Sequence, residues 1–286
     1  MVTYSEYAKN LKKGLIFAGC SFTWGQGLYY YSGLPTVVEQ PEFKFNPKFL
    51  KYTHIRYAEL YRYPRLVANK LDSFEIVHPV NGGSNLSAVR FWKDALFFHT
   101  GMLDSNMVYN IDPKEISILV FQLTQPHRCG EDLFNCGYSL SYCDSLEPGN
   151  RHKLKQFMQS KKLDTIDDFV NYYIEKSIST VIDFLVSCEN VGIKTLVLTW
   201  PRENIPFVKK NKFLNERYIT LHYKNKIFYS IEDLMEENKH LIIKYDFQNL
   251  TKPKSDHHPS KECHQVIANS IIDYMERKKI YSNRLE

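Results

Sequence analysis

The amino-acid sequence predicts an α/β protein, a three-layer α/β/α sandwich built on a mainly parallel sheet of five strands. Two patterns point to this fold. Short apolar segments end at Gly, Pro or polar residues, and longer segments with apolar residues every three or four positions lie between them. Such alternation is typical of βαβ units with right-handed crossovers. The 286 residues are 43% hydrophobic and 24% charged, which excludes a disordered, collagen-like or coiled-coil chain.

Each predicted strand is a short apolar segment that ends abruptly. Residues 15–18 end at Gly19, and residues 74–80 end at Asn81-Gly82-Gly83. Segments of this length before Gly or Pro are typical of buried strands that lead into tight turns. The other predicted strands are Ile116–Leu123, Lys194–Thr199 and residues 241–245.

The predicted helices lie between these strands. The strongest pattern covers residues 165–190, where Ile174, Ile178 and Val181 recur at helical spacing, and Gly192 supplies a stop. The last helix begins near Ser260, a good N-cap residue, and ends near residue 278. Two shorter helices are predicted over residues 57–71 and 85–98.

The whole chain, residues 1–286, is expected to form one domain with two long insertions. Residues 28–53 are rich in Tyr and Pro, and residues 127–164 are polar and include three of the cysteines. Both leave the same edge of the predicted sheet. Each is consistent with a lid or substrate-binding insertion, and equally with family-specific decoration.

Charge and hydropathy limit the classes of partner. The formal net charge is +5, and the densest basic runs are short, as expected of a solvated surface. We therefore expect no nucleic-acid partner.

Residues 1–13 are polar, and no stretch approaches the ~18 apolar residues of a membrane span. The sequence thus predicts neither a signal peptide nor a transmembrane segment, and a cytoplasmic or virion-associated location.

One region concentrates residue types that bind zinc, namely His127, Cys129, Cys136 and Cys143. Structural zinc ligands usually include Cys-x-x-Cys pairs, and this sequence has none. We therefore expect no metal and no organic cofactor. Six cysteines in 286 residues are also too few for a disulfide-dense scaffold.

Candidate functional residues follow the predicted strands, whose carboxyl ends share one edge of a parallel sheet. Ser21 stands just after the first strand, at the start of a helix, where its hydroxyl can attack and its N–H points into the site. The alternative is that Ser21 is only a helix cap.

A carboxylate and a histidine follow the fifth predicted strand. The residues before Pro259 are expected to be extended, and alternate side chains of an extended chain share a face. Asp256 and His258 should therefore point the same way and His257 the other, so that Asp256 can orient His258 as a general base. The alternative is a surface loop with two solvated histidines.

Two further loops offer donors for an oxyanion. The backbone N–H groups of Gly82 or Gly83 carry no obstructing side chain, and Thr124 and Gln125 bring hydroxyl and amide groups. The alternatives are a plain strand-to-helix turn and a polar loop. At the same edge, the predicted substrate contacts are Trp24, Asn85, Arg128 and Trp200.

Taken together, these segments resemble the SGNH (GDSL-like) hydrolase superfamily. Gly19-Cys20-Ser21-Phe22-Thr23 is similar to its first block, Asn81-Gly82-Gly83-Ser84-Asn85 to its glycine block, and Asp256-x-His258-Pro259-Ser260, followed by His264 and Ala268, to its last block. The resemblance implies a flavodoxin-like fold, a Ser21-His258-Asp256 triad, and Ser21 and Gly82 as oxyanion donors.

Two departures from the family pattern affect the expected chemistry. Cys20 stands where the family name has Asp, a position that takes no part in bond making. The Gly-x-Asn-Asp block is absent after the third strand, where the sequence reads Leu123-Thr124-Gln125-Pro126. Loss of one oxyanion donor lowers a rate by roughly 10²–10³, unless Thr124 or Gln125 replaces it.

The resulting expectation is a serine esterase that cleaves short-chain O-acyl esters, especially O-acetyl esters, on a carbohydrate. The Tyr-rich insertion at residues 28–53 suits stacking on sugar rings. An O-acetyltransferase with the same triad and a catalytically lapsed glycan-binding module are the alternatives.

Overall fold

A computed structural model of the chain describes residues 13–25, 28, 59–77, 84–98, 101–103, 107–109, 111–125, 148–245 and 254–280. Its strands are β1 Gly14–Ala18, β2 Glu75–Val77, β3 Gly101–Leu103, β4 Met107–Tyr109, β5 Ile116–Leu123, β6 Lys194–Thr199, β7 Leu221–Tyr223, β8 Lys226–Phe228, β9 Ile242–Tyr245 and β10 Lys254–Pro259. Its helices are α1 Ser21–Trp24, α2 Tyr63–Lys70, α3 Asn85–Lys93, α4 Pro148–Lys161, α5 Ile166–Asn190, α6 Ile205–Lys210, α7 Lys212–Glu216, α8 Ile231–Glu237 and α9 Lys261–Arg277.

The central sheet confirms the predicted α/β/α fold. Four strands pair in the order β2-β1-β5-β6, and every pairing is parallel. Strand β1 is an inner strand, with Leu15 opposite Glu75 of β2 and Ile118 of β5. Its carboxyl end therefore lies near the middle of the edge at which functional loops are expected.

The prediction of a fifth strand in this sheet is wrong for the described residues. Strand β9 pairs antiparallel with β10, through Tyr245 opposite Lys254 and Ile242 opposite Pro259. Leu241 and Ile243 are fully buried, and Leu241 and Ile242 pack into the core that covers one face of the central sheet. A run of apolar residues indicates that a strand is buried. It does not indicate whether that strand pairs within the central sheet or packs beside it.

Helices cover both faces of the sheet. Leu15 and Phe17 of β1 face the apolar core that is shared with α2 and α9. Ile16 and Ala18 face the opposite core, which α3 and α5 complete. Alternate residues of one strand thus enter different cores, as the period of two requires, and the sheet is buried on both sides.

Three predicted helices begin at the residues that the sequence indicates. Thr165 and Asp168 form a capping box before α5, and Ser84 caps α3. The side chain of Ser260 accepts a hydrogen bond from the Cys263 N–H before α9. These caps satisfy N–H groups that the first turn of a helix leaves without partners.

The two predicted insertions are described only in part. Of residues 28–53, only Leu28 is among the described residues. Residues 126–147 also lie outside them, together with His127, Cys129, Cys136 and Cys143. The rest of the second insertion forms α4, whose Phe157 packs on Phe169 and Tyr173 of α5. This helix was not predicted because its apolar positions are sparse. None of the helices in the described ranges is long and apolar enough to cross a membrane.

Candidate active site

The backbone places Ser21 at the carboxyl end of an inner strand. Only Gly19 and Cys20 separate β1 from α1, and Ser21 is the first residue of that short helix. The turn is closed by a hydrogen bond from the Thr23 N–H to the Cys20 carbonyl at 2.9 Å. The Ser21 side chain itself lies outside the described part of the structure, so its role as a nucleophile stays a prediction.

Close packing explains the glycine in this turn. A Cβ atom at Gly19 would overlap the Thr23 hydroxyl oxygen and would lie 3.0 Å from Gln122 Cβ. Both neighbours are buried and held by hydrogen bonds, so neither can move aside cheaply. Gly19 thus lets α1 approach β5, and this approach sets where Ser21 begins the helix.

A buried polar network lies directly under the turn. The Thr23 hydroxyl donates to Gln122 Oε1 at 2.8 Å, and the Tyr63 hydroxyl lies 2.9 Å from Thr23 Oγ1. Gln122 also donates through Nε2 to Cys20 Sγ at 3.3 Å. Burial raises the pKa of Tyr63 far above its ordinary value, so the hydroxyl keeps its proton and remains a donor. The network ties α1 to β5 and α2.

Sequence reasoning missed this network, although one signal was visible. Gln122 follows four consecutive apolar residues of β5, and a polar group buried in a sheet needs hydrogen-bond partners. The sequence does not show that the partners are Thr23, 99 residues away, and Tyr63, 59 residues away.

The half-buried His258 lies beside the residue that follows Ser21. Its imidazole stacks on the Phe22 ring with 4.9 Å between ring centroids and 26° between planes. Trp200 stacks on Phe22 as well, at 3.9 Å and 28°. Two rings this close to the centre of Phe22 would overlap if they shared one face, so Phe22 lies between them. The structure therefore brings the first and last sequence blocks together.

The segment that carries Asp256 is extended, as predicted from Pro259. Residues Lys254–Pro259 form strand β10, in which Asp256 and His258 are two positions apart. The ladder with β9 is irregular between Ser255 and Pro259. The side chains of Asp256 and His257 lie outside the described part, so the contact between Asp256 and His258 stays a prediction.

A second histidine of the last block has a different environment. His264 is fully buried in α9, and its Nδ1 accepts a hydrogen bond from the Tyr63 N–H at 3.2 Å. Its Nε2 is buried with no hydrogen-bond partner among the described residues. Burial first, and then the charges of His258 and Arg62, lower its pKa to about 3. His264 is therefore neutral and supports α2.

The third loop places Thr124 in a fixed position. Its N–H donates to Asn85 Oδ1 at 2.8 Å, and its carbonyl accepts from Asn204 Nδ2 at 3.0 Å. The Thr124 hydroxyl is buried and has no partner within the described residues. Of the polar groups of Thr124, the hydroxyl is thus the one left for a further bond. Gln125 is half-buried next to it.

The burial of Asn85 argues against its predicted contact with the substrate. Asn85 is 1% exposed, and besides accepting from Thr124 it donates through Nδ2 to Ser177 Oγ at 3.1 Å. It bridges α3, β5 and α5 from inside the protein. Sequence reasoning also missed Asn204, which is buried just beyond β6 and donates to Thr199 Oγ1 as well as to Thr124.

The other predicted site residues are described in part or not at all. Trp200 is half-buried at the end of β6. The backbone of Trp24 ends α1, but its side chain lies outside the described part, as do Gly82, Gly83 and Arg128 entirely. Within the described ranges, no group of three or more His, Cys, Asp or Glu side chains could hold a metal ion.

The fold and the position of the site define a class of architecture, an α/β/α sandwich with candidate catalytic residues at the carboxyl edge of parallel strands. The chain is similar in structure to an acetyl xylan esterase (Est2A) from the rumen bacterium Butyrivibrio proteoclasticus, with a TM-score of 0.50 and 13% sequence identity. The match covers 95% of this chain and 66% of the esterase chain. A family two carbohydrate esterase from Cellvibrio japonicus matches with a TM-score of 0.35 and 11% sequence identity. That match covers 95% of this chain and 62% of the esterase chain.

The chain thus spans 66% and 62% of the lengths of these esterase structures. At such low identity, the likeness to the first of them shows the fold. No protein-family model and no curated protein matches the sequence.

Proposed function

We propose that the chain is a serine esterase that hydrolyses short-chain O-acyl esters, with O-acetyl groups on a carbohydrate as the preferred substrate. The observation that carries the proposal is the stacking of His258 on Phe22, the neighbour of Ser21. It brings a half-buried imidazole to the residue beside the candidate nucleophile, at the sheet edge where α/β proteins hold their active sites. The fold of the acetyl xylan esterase supports the same class of reaction.

The proposed reaction is two-step acyl transfer. Ser21 Oγ attacks the ester carbonyl carbon while His258 takes the hydroxyl proton. The tetrahedral intermediate collapses as His258 returns that proton to the departing alcohol, which leaves an acyl-enzyme. Water then attacks the acyl group with His258 again as the base, and Ser21 is released. Asp256 holds His258 in the required tautomer and stabilises its charged form.

The oxyanion is stabilised by the N–H groups of Ser21 and Gly82 and by a donor from the third loop. The N–H of Thr124 already donates to Asn85, which leaves its hydroxyl as the donor, but Thr124 is only 1% exposed, so a substrate would have to displace neighbouring groups to reach it. The half-buried side chain of Gln125 is the alternative donor. Donors held in place before the reaction stabilise developing charge without further reorganisation.

Substrate contacts in this proposal come from Trp24, Arg128 and Trp200. Asn85 acts instead as a support for Thr124, because both ends of its amide are engaged inside the protein. The chemistry needs no metal and no organic cofactor, since the serine, histidine and carboxylate supply the nucleophile and the proton transfers.

A catalytically lapsed glycan-binding module is the second candidate. The absence of the Gly-x-Asn-Asp block after β5 favours it, because that block supplies the asparagine donor in the family that the sequence resembles. This candidate predicts glycan binding without turnover, and binding that is unchanged in Ser21→Ala.

The test combines two substrates with matched variants. The wild type should hydrolyse p-nitrophenyl acetate and release acetate from acetylated xylan, and it should be labelled by a fluorophosphonate probe. Ser21→Ala and His258→Ala should lose these activities, whereas the neighbouring His257→Ala should keep them. Transfer of acetyl to a sugar acceptor faster than to water would favour the acetyltransferase. A folded wild type that neither turns over nor labels would overturn the esterase.

A further inference from the structure

We infer that Phe22 and Trp200 are positioning residues for His258, and that the aromatic stack they form with it sets the orientation of the general base. The kinetic part of this inference rests on the proposed function, whereas the stack itself can be tested without any activity. Neither ring reacts with the substrate in this role. Phe22 acts through the imidazole that stacks on it, and Trp200 acts through Phe22.

The stack is built on two anchored elements. Phe22 is 6% exposed and lies in α1, directly above the network of Thr23 and Gln122. Trp200 is fixed through its backbone, because its N–H donates to the Leu123 carbonyl at 2.9 Å and its carbonyl accepts from the Glu232 N–H at 3.0 Å. A ring that packs between such elements has little freedom to tilt.

His258 is restrained from its other side by its own chain. Pro259 follows it directly and is buried, and the next residue, Ser260, donates its N–H to the Leu241 carbonyl at 2.7 Å. The backbone thus fixes the position of the His258 Cα atom. The Phe22 ring, whose centroid lies 4.9 Å from that of the imidazole, restrains the plane of the imidazole. The ring of Phe22 stacks on the imidazole, so an aliphatic residue at position 22 would remove this stacking restraint on the plane of the ring.

The face of an aromatic ring also suits the charge that the base gains. His258 becomes an imidazolium in the transition state, and a cation is attracted to the negative face of Phe22. The neutral imidazole of the resting enzyme gains less from the same contact. An interaction that strengthens in the transition state raises kcat rather than lowering KM.

The test compares equal substitutions at two buried phenylalanines. Phe22→Leu removes the ring face but keeps apolar volume, and Phe228→Leu is the control in the same apolar core. In Phe22→Leu, kcat for p-nitrophenyl acetate should fall by about 10-fold to 100-fold with little change in KM, the scale expected when a reacting group is misplaced. Phe22→Tyr keeps the ring face and should restore most of the rate.

A spectroscopic measurement tests the stack independently of activity. In protein labelled at histidine, the ring protons of His258 should resonate upfield, because they lie over an aromatic face, and His258→Asn assigns them. Phe22→Leu should abolish this shift, and Phe228→Leu should leave it in place. Unshifted His258 signals in the wild type would overturn the stack.

The two measurements separate the possible failures. Loss of the upfield shift together with a fall in kcat supports the positioning role. Loss of the shift with unchanged kcat, or an equal fall of kcat in the Phe228 control, overturns it. A folded wild type that shows the shift but no esterase activity overturns the proposed function and leaves the stack established.

Discussion

Acid should destabilise the folded protein through His264, a buried residue that takes no direct part in the proposed reaction. The ring is fully buried, and its pKa is lowered from the ordinary 6.5 to about 3, so the folded state keeps it neutral. The unfolded chain binds a proton at this ring as the pH falls below 6.5. Because the unfolded state then holds more protons, the free energy of unfolding decreases as the pH is lowered.

The magnitude follows from these two pKa values. Linkage gives a loss of about 2 kcal/mol between pH 7 and pH 5, and about 4 to 5 kcal/mol once the pH lies below both values. A domain is typically stable by only about 5 to 15 kcal/mol, so even the smaller loss is measurable.

Urea unfolding at pH 7, 6 and 5 can isolate this contribution. The variant His264→Asn removes the titrating ring, while the asparagine oxygen can still accept the Tyr63 N–H. The variant will be less stable at pH 7 because it leaves a cavity, so the quantity to compare is the change in the free energy of unfolding with pH. The wild type should lose about 2 kcal/mol more than the variant between pH 7 and pH 5. His152→Asn, at an exposed position on α4, is the control for removing a histidine.

A parallel loss of stability in the wild type and His264→Asn would refute the reasoning. It would mean that His264 is protonated equally in the folded and unfolded states, and hence that water reaches its ring in the folded protein. A pH response of His152→Asn that matches that of His264→Asn would refute it as well.

Two substitutions test the packing around the site. Gly19→Ala should lower the free energy of unfolding by about 1 to 3 kcal/mol, because a Cβ atom overlaps Thr23 Oγ1 and lies 3.0 Å from Gln122 Cβ; an unchanged Tm would contradict the close approach. Asn85→Ala should cost about 1 to 3 kcal/mol in urea unfolding, because the Thr124 N–H is left buried without its acceptor. A loss below about 0.5 kcal/mol would contradict this hydrogen bond.

Local sequence signals predicted the elements that carry the site. Strand β5, Ile116–Leu123, and strand β6, Lys194–Thr199, have the predicted bounds, because each has an apolar centre and is followed by a clear stop. Helix α9 begins after Ser260, whose side chain forms the predicted cap. The order of strands and helices predicted that Ser21 follows an inner strand, as it does. It also predicted that His258 follows a fifth strand of the same sheet, whereas His258 lies in β10, which pairs antiparallel with β9.

Contacts between distant residues could not be predicted in the same way. In the sequence, Gln122 is a single polar residue near the end of a strand. The fold shows that the hydroxyls of Thr23 and Tyr63 donate hydrogen bonds to it. Asn204 lies in what the sequence suggests is a loop, although its buried amide donates a hydrogen bond to the Thr124 carbonyl. Single-sequence patterns report whether a position is buried, but the partners of a buried polar group depend on how the elements pack.

The hydrogen bond from Tyr63 to His264 has a consequence for how the protein is made. Its partners are 201 residues apart, so at translation rates of 5 to 20 residues per second Tyr63 waits about 10 to 40 s for its acceptor to be synthesised. Until α9 docks, the first half of the nascent chain exposes apolar surface of α2 that α9 covers in the finished fold. Phe22 and His258 therefore cannot stack until residue 258 has been synthesised, long after Phe22 itself.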